Sequence, residues 1–225
     1  MIVGALFSGG KDSAYAAHLA QAAGHDVRCL LTLEGGTPES MLLHRPNISW
    51  TSLQAESMGI RRLAAPAPDD PAGGEAALRS LLERAASEFG ITGAVHGGLR
   101  SRYQRDRFAA ACAAAGLEAL APLWGMGGAP YVRSLLSAGF RFVVSSVSAG
   151  GLNGSWLGRE VTRGALGRLE ALAASHGFSV DFEGGEAETF VTSCPMFSRE
   201  VRITGSRISW DSYRGELEIT RAVLG

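Results

Sequence analysis

The sequence predicts an α/β protein: an open parallel sheet followed by a second, smaller α+β unit. Up to residue 125, short apolar runs alternate with segments of helical spacing, which is the pattern of a parallel sheet with crossover helices. Beyond the glycine-rich stretch 125–128, the tail alternates polar and apolar residues, which is typical of half-exposed strands. We therefore predict two units, 1–125 and 126–225.

The first unit begins with a strand, a glycine turn and a helix. The apolar residues 2–7 end at Ser8-Gly9-Gly10, and Asp12 or Ser13 can then cap an alanine-rich helix that Gly24 ends. A second apolar strand at 27–33 completes a βαβ unit. The remaining predicted elements, in order, are a long loop at 34–48, a short helix at 51–58, a Pro- and Gly-rich linker at 66–74, a helix with an apolar stripe from Leu78 to Phe89, a strand at 93–96, a helix at 103–115 and a strand at 118–121.

The second unit mixes helices with strands that expose one face. We predict a helix at 131–138, a strand at 140–147 and, after a glycine-rich loop, a helix at 162–176. Two strands with alternating polarity follow, around 200–203 and 216–219. These elements are compatible with a small α+β unit.

Composition narrows the function classes. The chain has 225 residues, 46% of them hydrophobic, which is enough for a sizeable core. Its 21 basic and 22 acidic residues nearly balance, so direct nucleic-acid binding is not expected. The three cysteines are odd in number and far apart, which fits neither a disulfide framework nor a zinc site. No membrane span or signal peptide is visible, so we expect a cytoplasmic protein without a membrane partner.

The glycine turn Ser8-Gly9-Gly10-Lys11-Asp12-Ser13 is the strongest candidate for chemistry. It precedes a helix N-terminus, where free N–H groups and the helix dipole favour an anion such as a phosphate. All basic residues except Lys11 are arginine, and a compact ammonium suits a glycine cradle better than a planar guanidinium does. The turn is not a Walker loop, which requires glycine at position 5 and a hydroxyl residue at position 12. It also lacks a dinucleotide fingerprint.

This turn resembles the loop of the PP-loop ATP pyrophosphatases, which cleave ATP between its α- and β-phosphates. Later stretches resemble, in kind and order, one branch of that superfamily, the diphthine ammonia ligases. The resemblance covers nearly the whole chain. These stretches are 41–47 and 53–60, the Ser-x-Tyr-Gln-x-x-Arg pattern at 101–107, 122–124, 151–152, 156–159 and the Glu-Gly-Gly-Glu-Ala-Glu-Thr run at 183–189.

The resemblance implies a Rossmann-like PP-loop domain that binds ATP and a C-terminal unit that binds substrate. It implies the last step of diphthamide biosynthesis, in which the diphthine carboxylate on translation elongation factor 2 is adenylated by ATP. Ammonia then displaces AMP and leaves an amide. ATP is a substrate, and Mg²⁺ is expected with it because the phosphates supply hard oxygen ligands. The sequence leaves homodimerisation open.

The same resemblance assigns candidate site residues, none of them a metal ligand. The catalytic candidates are Lys11, Glu183, Glu186 and Glu188. The nucleotide-binding candidates are Ser8, Gly9, Gly10, Lys11, Asp12, Ser13 and His44. The substrate-binding candidates are Ser101, Tyr103, Gln104, Arg107, Arg159, Gly184, Gly185 and Thr189.

Two motifs have more ordinary interpretations beside these. The glutamates at 183, 186 and 188 could form a solvated hairpin turn, or they could bind magnesium, ammonium or the quaternary ammonium of diphthine. Arg100, Arg102, Arg105 and Arg107 could form a solvated face, but the helix dipole disfavours cations there, and an anionic partner would relieve the repulsion. The chain also departs from the family pattern at Ala187, where an aromatic residue is usual, at Asn153 and at 126–128.

Two other functions stay open at this point. The first is another PP-loop ligase that acts on a small molecule or a tRNA base, although no paired-cysteine signature of sulfur transfer is present. The second is a module that binds ATP without turning it over.

Overall fold

The computed structural model of the chain describes residues 1–35, 47–68 and 70–225. Its N-terminal sheet has five parallel strands in the order β3-β2-β1-β4-β5. The strands are β1 (Ile2–Leu6), β2 (Asp26–Gly35), β3 (Arg61–Ala67), β4 (Gly93–Val95) and β5 (Glu118–Leu120). The helices are α1 (Lys11–Ala22), α2 (Thr51–Met58), α3 (Pro71–Phe89) and α4 (Arg102–Ala114). From β1 the chain adds β2 and β3 on one side and then returns to add β4 and β5 on the other side of β1. The switch point therefore lies between β1 and β4, and ligands of open α/β sheets bind at such a point.

The C-terminal part contains a four-stranded antiparallel sheet in the order β7-β6-β9-β8. The strands are β6 (Arg141–Val147), β7 (Ala187–Ser193), β8 (Val201–Trp210) and β9 (Gly215–Leu224). Its helices are α5 (Gly128–Ser137) and α6 (Arg163–His176), and short 3-10 turns lie at Ile48–Trp50 and Gly154–Trp156. The two sheets confirm the predicted fold class, a parallel α/β sheet with a smaller α+β unit.

One prediction for the first unit is wrong, and one strand was missed. The segment 66–74 is not a linker, because Pro66 and Ala67 end β3 and α3 begins at Pro71. The strand β3 was not predicted at all; it lies at an edge of the sheet, where proline is tolerated because one side of the strand needs no ladder partner. Asp70 starts α3 by accepting a hydrogen bond from the Gly73 N–H at 2.7 Å.

Two more segments differ from the sequence analysis. At the two ends of the predicted loop 34–48, residues 34 and 35 belong to β2 and Ile48 starts a 3-10 turn; residues 36–46 of that prediction lie outside the described residues. The strand β7 was also not predicted, because its first residues belong to the glutamate run. Glu188 and Thr189 are therefore strand residues, not turn residues.

The core joins the two units. One apolar cluster lies between the parallel sheet and helices α3 and α4. The larger cluster runs from β1 and α1 into the C-terminal unit, where the rings of Tyr15 and Phe140 meet edge to face at 5.3 Å. The three cysteines are buried free thiols, and burial raises the pKa of each to about 11 or 12. In the described residues, no helix is long and apolar enough to cross a membrane.

Candidate active site at the glycine turn

The glycine turn connects β1 to α1 with a tightly defined backbone. Gly9 has φ +80°, and a Cβ there would lie 2.5 Å from Gln54 Oε1, so the position requires glycine. The Ser13 hydroxyl accepts a hydrogen bond from the Ser8 N–H (3.2 Å) and donates one to the Gly10 carbonyl (3.1 Å). Gly10 precedes α1 and gives it no side-chain cap, so the helix start can receive an anion.

Strand β7 of the C-terminal unit holds this turn in place. The Val191 N–H donates to the Gly9 carbonyl at 2.9 Å. The side-chain amide of Gln54 donates to the Gly9 carbonyl at 3.1 Å and to the Val191 carbonyl at 2.8 Å. Thr189 Oγ1 accepts from the Lys11 N–H at 3.1 Å. The turn is therefore built from both units.

Lys11 is 2% exposed, and its ammonium has a defined surrounding. Its Nζ donates to Asp12 Oδ2 at 2.8 Å and lies 5.6 Å from the centre of the Phe182 ring. The other carboxylate oxygen of Asp12 accepts a hydrogen bond from the Tyr131 hydroxyl at 2.5 Å. Burial, reinforced by the negative charge of Asp12, raises the pKa of Tyr131 well above its usual value, so the phenol stays protonated and donates.

A cavity of about 160 Å³ opens in front of the turn, at the carboxyl ends of β1 and β4. Ten of the predicted site residues line it: Ser8, Gly10, Lys11, Asp12, Ser13, Gln104, Glu183, Gly185, Glu188 and Thr189. Sequence reasoning did not single out three other lining side chains, His96, Phe108 and Phe182; Ala187, noted only as a departure from the family pattern, also lines the cavity. His44 lies outside the described residues.

Glu183 organises the start of α4. Its Oε1 accepts hydrogen bonds from three consecutive backbone N–H groups, those of Leu99 (3.2 Å), Arg100 (3.0 Å) and Ser101 (3.3 Å). The Ser101 hydroxyl in turn caps α4 by accepting from the Gln104 N–H at 3.3 Å. Ser101 thus has a capping role, and it positions the cavity-lining Gln104.

Asp181, which the sequence analysis overlooked, joins the two units. Its side chain is fully buried and accepts from the Gly128 N–H at 2.5 Å, from Arg100 at 2.7 Å, from the Ser179 hydroxyl at 2.7 Å and from the Glu183 N–H at 3.1 Å. Burial alone would raise the pKa of Asp181, but these hydrogen bonds and the charge of Arg100 outweigh it, so the pKa lies below its usual value.

The three glutamates of the 183–189 run point to different places. Glu188 lines the cavity from β7. Glu186 turns back to accept from the Ser179 N–H at 3.0 Å, and its Oε2 is buried without a hydrogen-bond partner. Gly184 lies against it, since a Cβ there would be 2.8 Å from Glu186 Oε1. Among the described residues, no group of three or more His, Cys, Asp or Glu side chains is arranged to hold a metal ion.

Several predicted contact residues lie away from this cavity. Arg107 pairs with Glu75, and its guanidinium lies 4.8 Å from the centre of the Tyr103 ring, in a groove between α3 and α4. Arg159 stacks on Trp156 at 5.0 Å. Arg100 and Arg107 are thus paired within the protein, and Arg105 pairs with the neighbouring Asp106 at 2.9 Å, so carboxylates of the chain itself relieve much of the expected repulsion.

His96, at the end of β4, is a cavity residue that holds no charge at neutral pH. It is 5% exposed, and its Nδ1 accepts a hydrogen bond from the Gly98 N–H at 3.1 Å. Burial, with a smaller effect of the Arg105 charge, lowers its pKa to about 4. Because Nδ1 accepts the hydrogen bond from Gly98, the proton of the neutral ring lies on Nε2. The sequence signal that could have found it is its place directly after a strand of a parallel sheet.

The fold and this site define an α/β protein with a glycine turn and an uncapped helix start at the switch point of its parallel sheet. A family model of the diphthamide synthase N-terminal domain matches residues 1–119, and one of the diphthamide synthase C-terminal domain matches residues 129–224. The chain belongs to the diphthamide synthase family.

Two relatives agree with this membership. The diphthine–ammonia ligase of Danio rerio is 30% identical over 224 residues, which cover 90% of this chain and 86% of that protein. The human diphthine–ammonia ligase is 30% identical over 227 residues, which cover 92% and 85%. Among solved structures, a predicted subunit of tRNA methyltransferase from Methanocaldococcus jannaschii aligns over 87% of this chain and 98% of its own, with 15% identity and a TM-score of 0.43.

Proposed function

We propose that the chain is an ATP-dependent ligase that converts the carboxylate of diphthine, on translation elongation factor 2, into an amide. The diphthine carboxylate attacks the α-phosphorus of ATP, and pyrophosphate leaves. Ammonia then attacks the acyl carbon, AMP leaves, and the nitrogen loses one proton. The observation that carries this proposal is the buried Lys11 at the uncapped start of α1, in a chain whose relatives are diphthine–ammonia ligases.

In this proposal the glycine turn receives the leaving pyrophosphate. Lys11, Ser8 and the start of α1 line the cavity and can supply donors to an anion there, while the Lys11 N–H and the Ser13 hydroxyl are already bonded to Thr189 and to the Gly10 carbonyl. Donors that are already in position stabilise charge as it develops on a leaving group without reorganising at that moment. The contacts of β7 with the turn keep these donors in place.

The residues present also fit a magnesium ion that arrives with ATP. Mg²⁺ at nucleotide sites takes one or two carboxylates together with phosphate oxygens and water. Asp12 lines the cavity and its side chain is about one-third exposed, so this carboxylate would hold the ion together with phosphate oxygens and water. When bound, it would neutralise part of the phosphate charge. Asp12 also orients Lys11 through its other contacts.

We assign the acceptor side of the cavity to residues at the end of β4, the start of α4 and β7. Gln104 can donate to the diphthine carboxylate, and neutral His96 can donate through Nε2 without bringing a second cation. Glu188 is the glutamate of the 183–189 run that we assign to the ammonia step, where a carboxylate can accept the proton that the attacking nitrogen loses.

The direct test incubates the protein with ATP, Mg²⁺, ammonium and elongation factor 2 that carries diphthine. We expect AMP and pyrophosphate in equal amounts, and a mass change on the factor that corresponds to replacing a hydroxyl group by an amino group. Omitting ammonium should stop amide formation. Pyrophosphate released only with a small molecule or tRNA would indicate another ligase, and ATP bound without turnover would indicate a binding module. Localisation in the cytoplasm, the absence of nucleic-acid binding and homodimerisation stay predictions.

A further inference from the structure

Phe182 lies in the cavity wall with a backbone conformation that aromatic residues rarely adopt. Its φ is +61°, in the left-handed region. Among the described residues, the other non-glycine residue with positive φ is Ser212, in the turn between β8 and β9. A bulky residue in this region is strained and persists only where the surroundings dictate it.

Both neighbours of Phe182 are locked by several hydrogen bonds. Asp181 accepts four, from two backbone N–H groups, one hydroxyl and one guanidinium. Glu183 accepts three from the loop before α4. Phe182 itself donates its N–H to the Ser179 carbonyl and accepts from the Gly185 N–H, both at 3.1 Å. The loop therefore imposes the strained conformation and aims the ring into the cavity.

The ring lies against the ammonium of Lys11. Phe182 is 6% exposed, and the centre of its ring is 5.6 Å from Lys11 Nζ. The face of an aromatic ring attracts a cation, most strongly where water is excluded. Ala187, which lines the same cavity, adds only a methyl group. Phe182 thus supplies an aromatic surface beside the Lys11–Asp12 pair.

We propose that Phe182 is a positioning residue for Lys11. Its ring holds the ammonium at the place where the pyrophosphate forms and keeps water away from it. The identity of the anion in this role rests on the proposed function. The contact between the ring and Lys11 is independent of it. The two parts can therefore be tested separately.

The first test uses the fact that Lys11 is the only lysine of the chain. Protein grown with ¹³C-lysine gives one lysine side-chain signal set, and its Hε protons should be shifted upfield by the ring current of Phe182. In Phe182→Leu this shift should disappear, and in Phe182→Tyr it should remain. Ser212→Gly, which removes the other strained residue far along the chain, should leave it unchanged. An unshifted Lys11 signal in the folded wild-type protein overturns the proposal.

The second test measures binding of α,β-methylene-ATP, which cannot be cleaved between these phosphates. Phe182→Leu should bind it about 3–10-fold more weakly, the loss expected for one cation–π contact. Phe182→Tyr, which keeps the aromatic face, should recover most of this affinity, whereas Phe182→Met, which fills space without a ring, should not. Each variant is compared at matched circular dichroism. If Phe182→Leu does not fold, Phe182→Met, which keeps an apolar side chain of similar length, replaces it.

Wild-type affinity in the Leu or Met variant, or an equal loss in the Tyr variant, overturns the positioning role. Failure of the proposed function has a different signature, since the wild-type protein would then bind the analogue but release no pyrophosphate with diphthine-carrying elongation factor 2. The Lys11 shift and its loss in Phe182→Leu would be unaffected by that result.

Discussion

Replacing Asp181 with asparagine should destabilise the protein although the two side chains have nearly the same shape. The carboxylate is fully buried and accepts from four donors. An asparagine can turn its NH₂ toward the Ser179 hydroxyl, which can reverse its role and accept. The Glu183 N–H then loses its acceptor, and Arg100 loses its ion pair.

The magnitude follows from these losses. An unsatisfied buried donor costs about 1–3 kcal/mol, and hydrogen bonds to a charged group are worth more than neutral ones. Breaking a fully buried ion pair costs about 3–5 kcal/mol, but the Arg100 side chain is about half exposed and can be hydrated. We therefore expect Asp181→Asn to lower the free energy of unfolding by about 2–4 kcal/mol. For a chain of this size, that lowers Tm by roughly 4–16 °C.

Urea unfolding followed by circular dichroism between pH 3 and pH 8 measures this effect. The pKa of Asp181 is below its usual value in the folded state, so the carboxylate stabilises the fold above the unfolded pKa, about 4. The difference in the free energy of unfolding between the wild type and Asp181→Asn should be constant from pH 8 to about 5. It should shrink as the pH falls through the pKa of Asp181 in the folded state. The matched control is Asp106→Asn, an exposed carboxylate paired with its neighbour, which should change stability by less than about 0.5 kcal/mol. A variant as stable as the wild type at pH 7, or a deficit that grows with acidity, would refute the reasoning.

Three further predictions concern the cavity. Lys11→Arg should bind the ATP analogue weakly or release pyrophosphate slowly, because a planar guanidinium does not fit the closed space beside Phe182; pyrophosphate release measures this, and near-normal turnover would contradict it. Glu188→Gln should lower kcat for amide formation about 100-fold or more. Glu186→Gln keeps an oxygen that accepts from the Ser179 N–H, so it should retain most of the activity. An inactive Glu186→Gln beside an active Glu188→Gln would show that the wrong glutamate is assigned. His96 has a folded pKa of about 4, below the unfolded value of about 6.5, so wild-type stability should fall as the pH drops from about 6.5 to 4. His96→Asn should remove up to about 1.4 kcal/mol per pH unit of this slope, and an unchanged slope in urea titrations would contradict the neutral histidine.

Local patterns were enough to predict much of the N-terminal unit. The residues 2–7, the glycine turn and α1 lie next to one another in the chain, and glycine, helix capping and apolar periodicity act over a few residues. The strands β3 and β7 escaped prediction for related reasons. Pro66 interrupts the first of them, and the second starts within a run of glutamates and glycines.

The sequence by itself therefore determined the fold class, the glycine turn with its single lysine, and the motifs that the chain shares with its relatives. Only the tertiary structure decided what surrounds Lys11. Tyr131, Phe182 and Thr189 come from the C-terminal unit, more than 100 positions away along the chain. It also decided that Glu183 and Glu188, but not Glu186, line the cavity and that Asp181 is buried between the two units. The physical reason is that burial, pKa and hydrogen-bond partners depend on packing between distant segments, which one sequence does not encode in any local pattern.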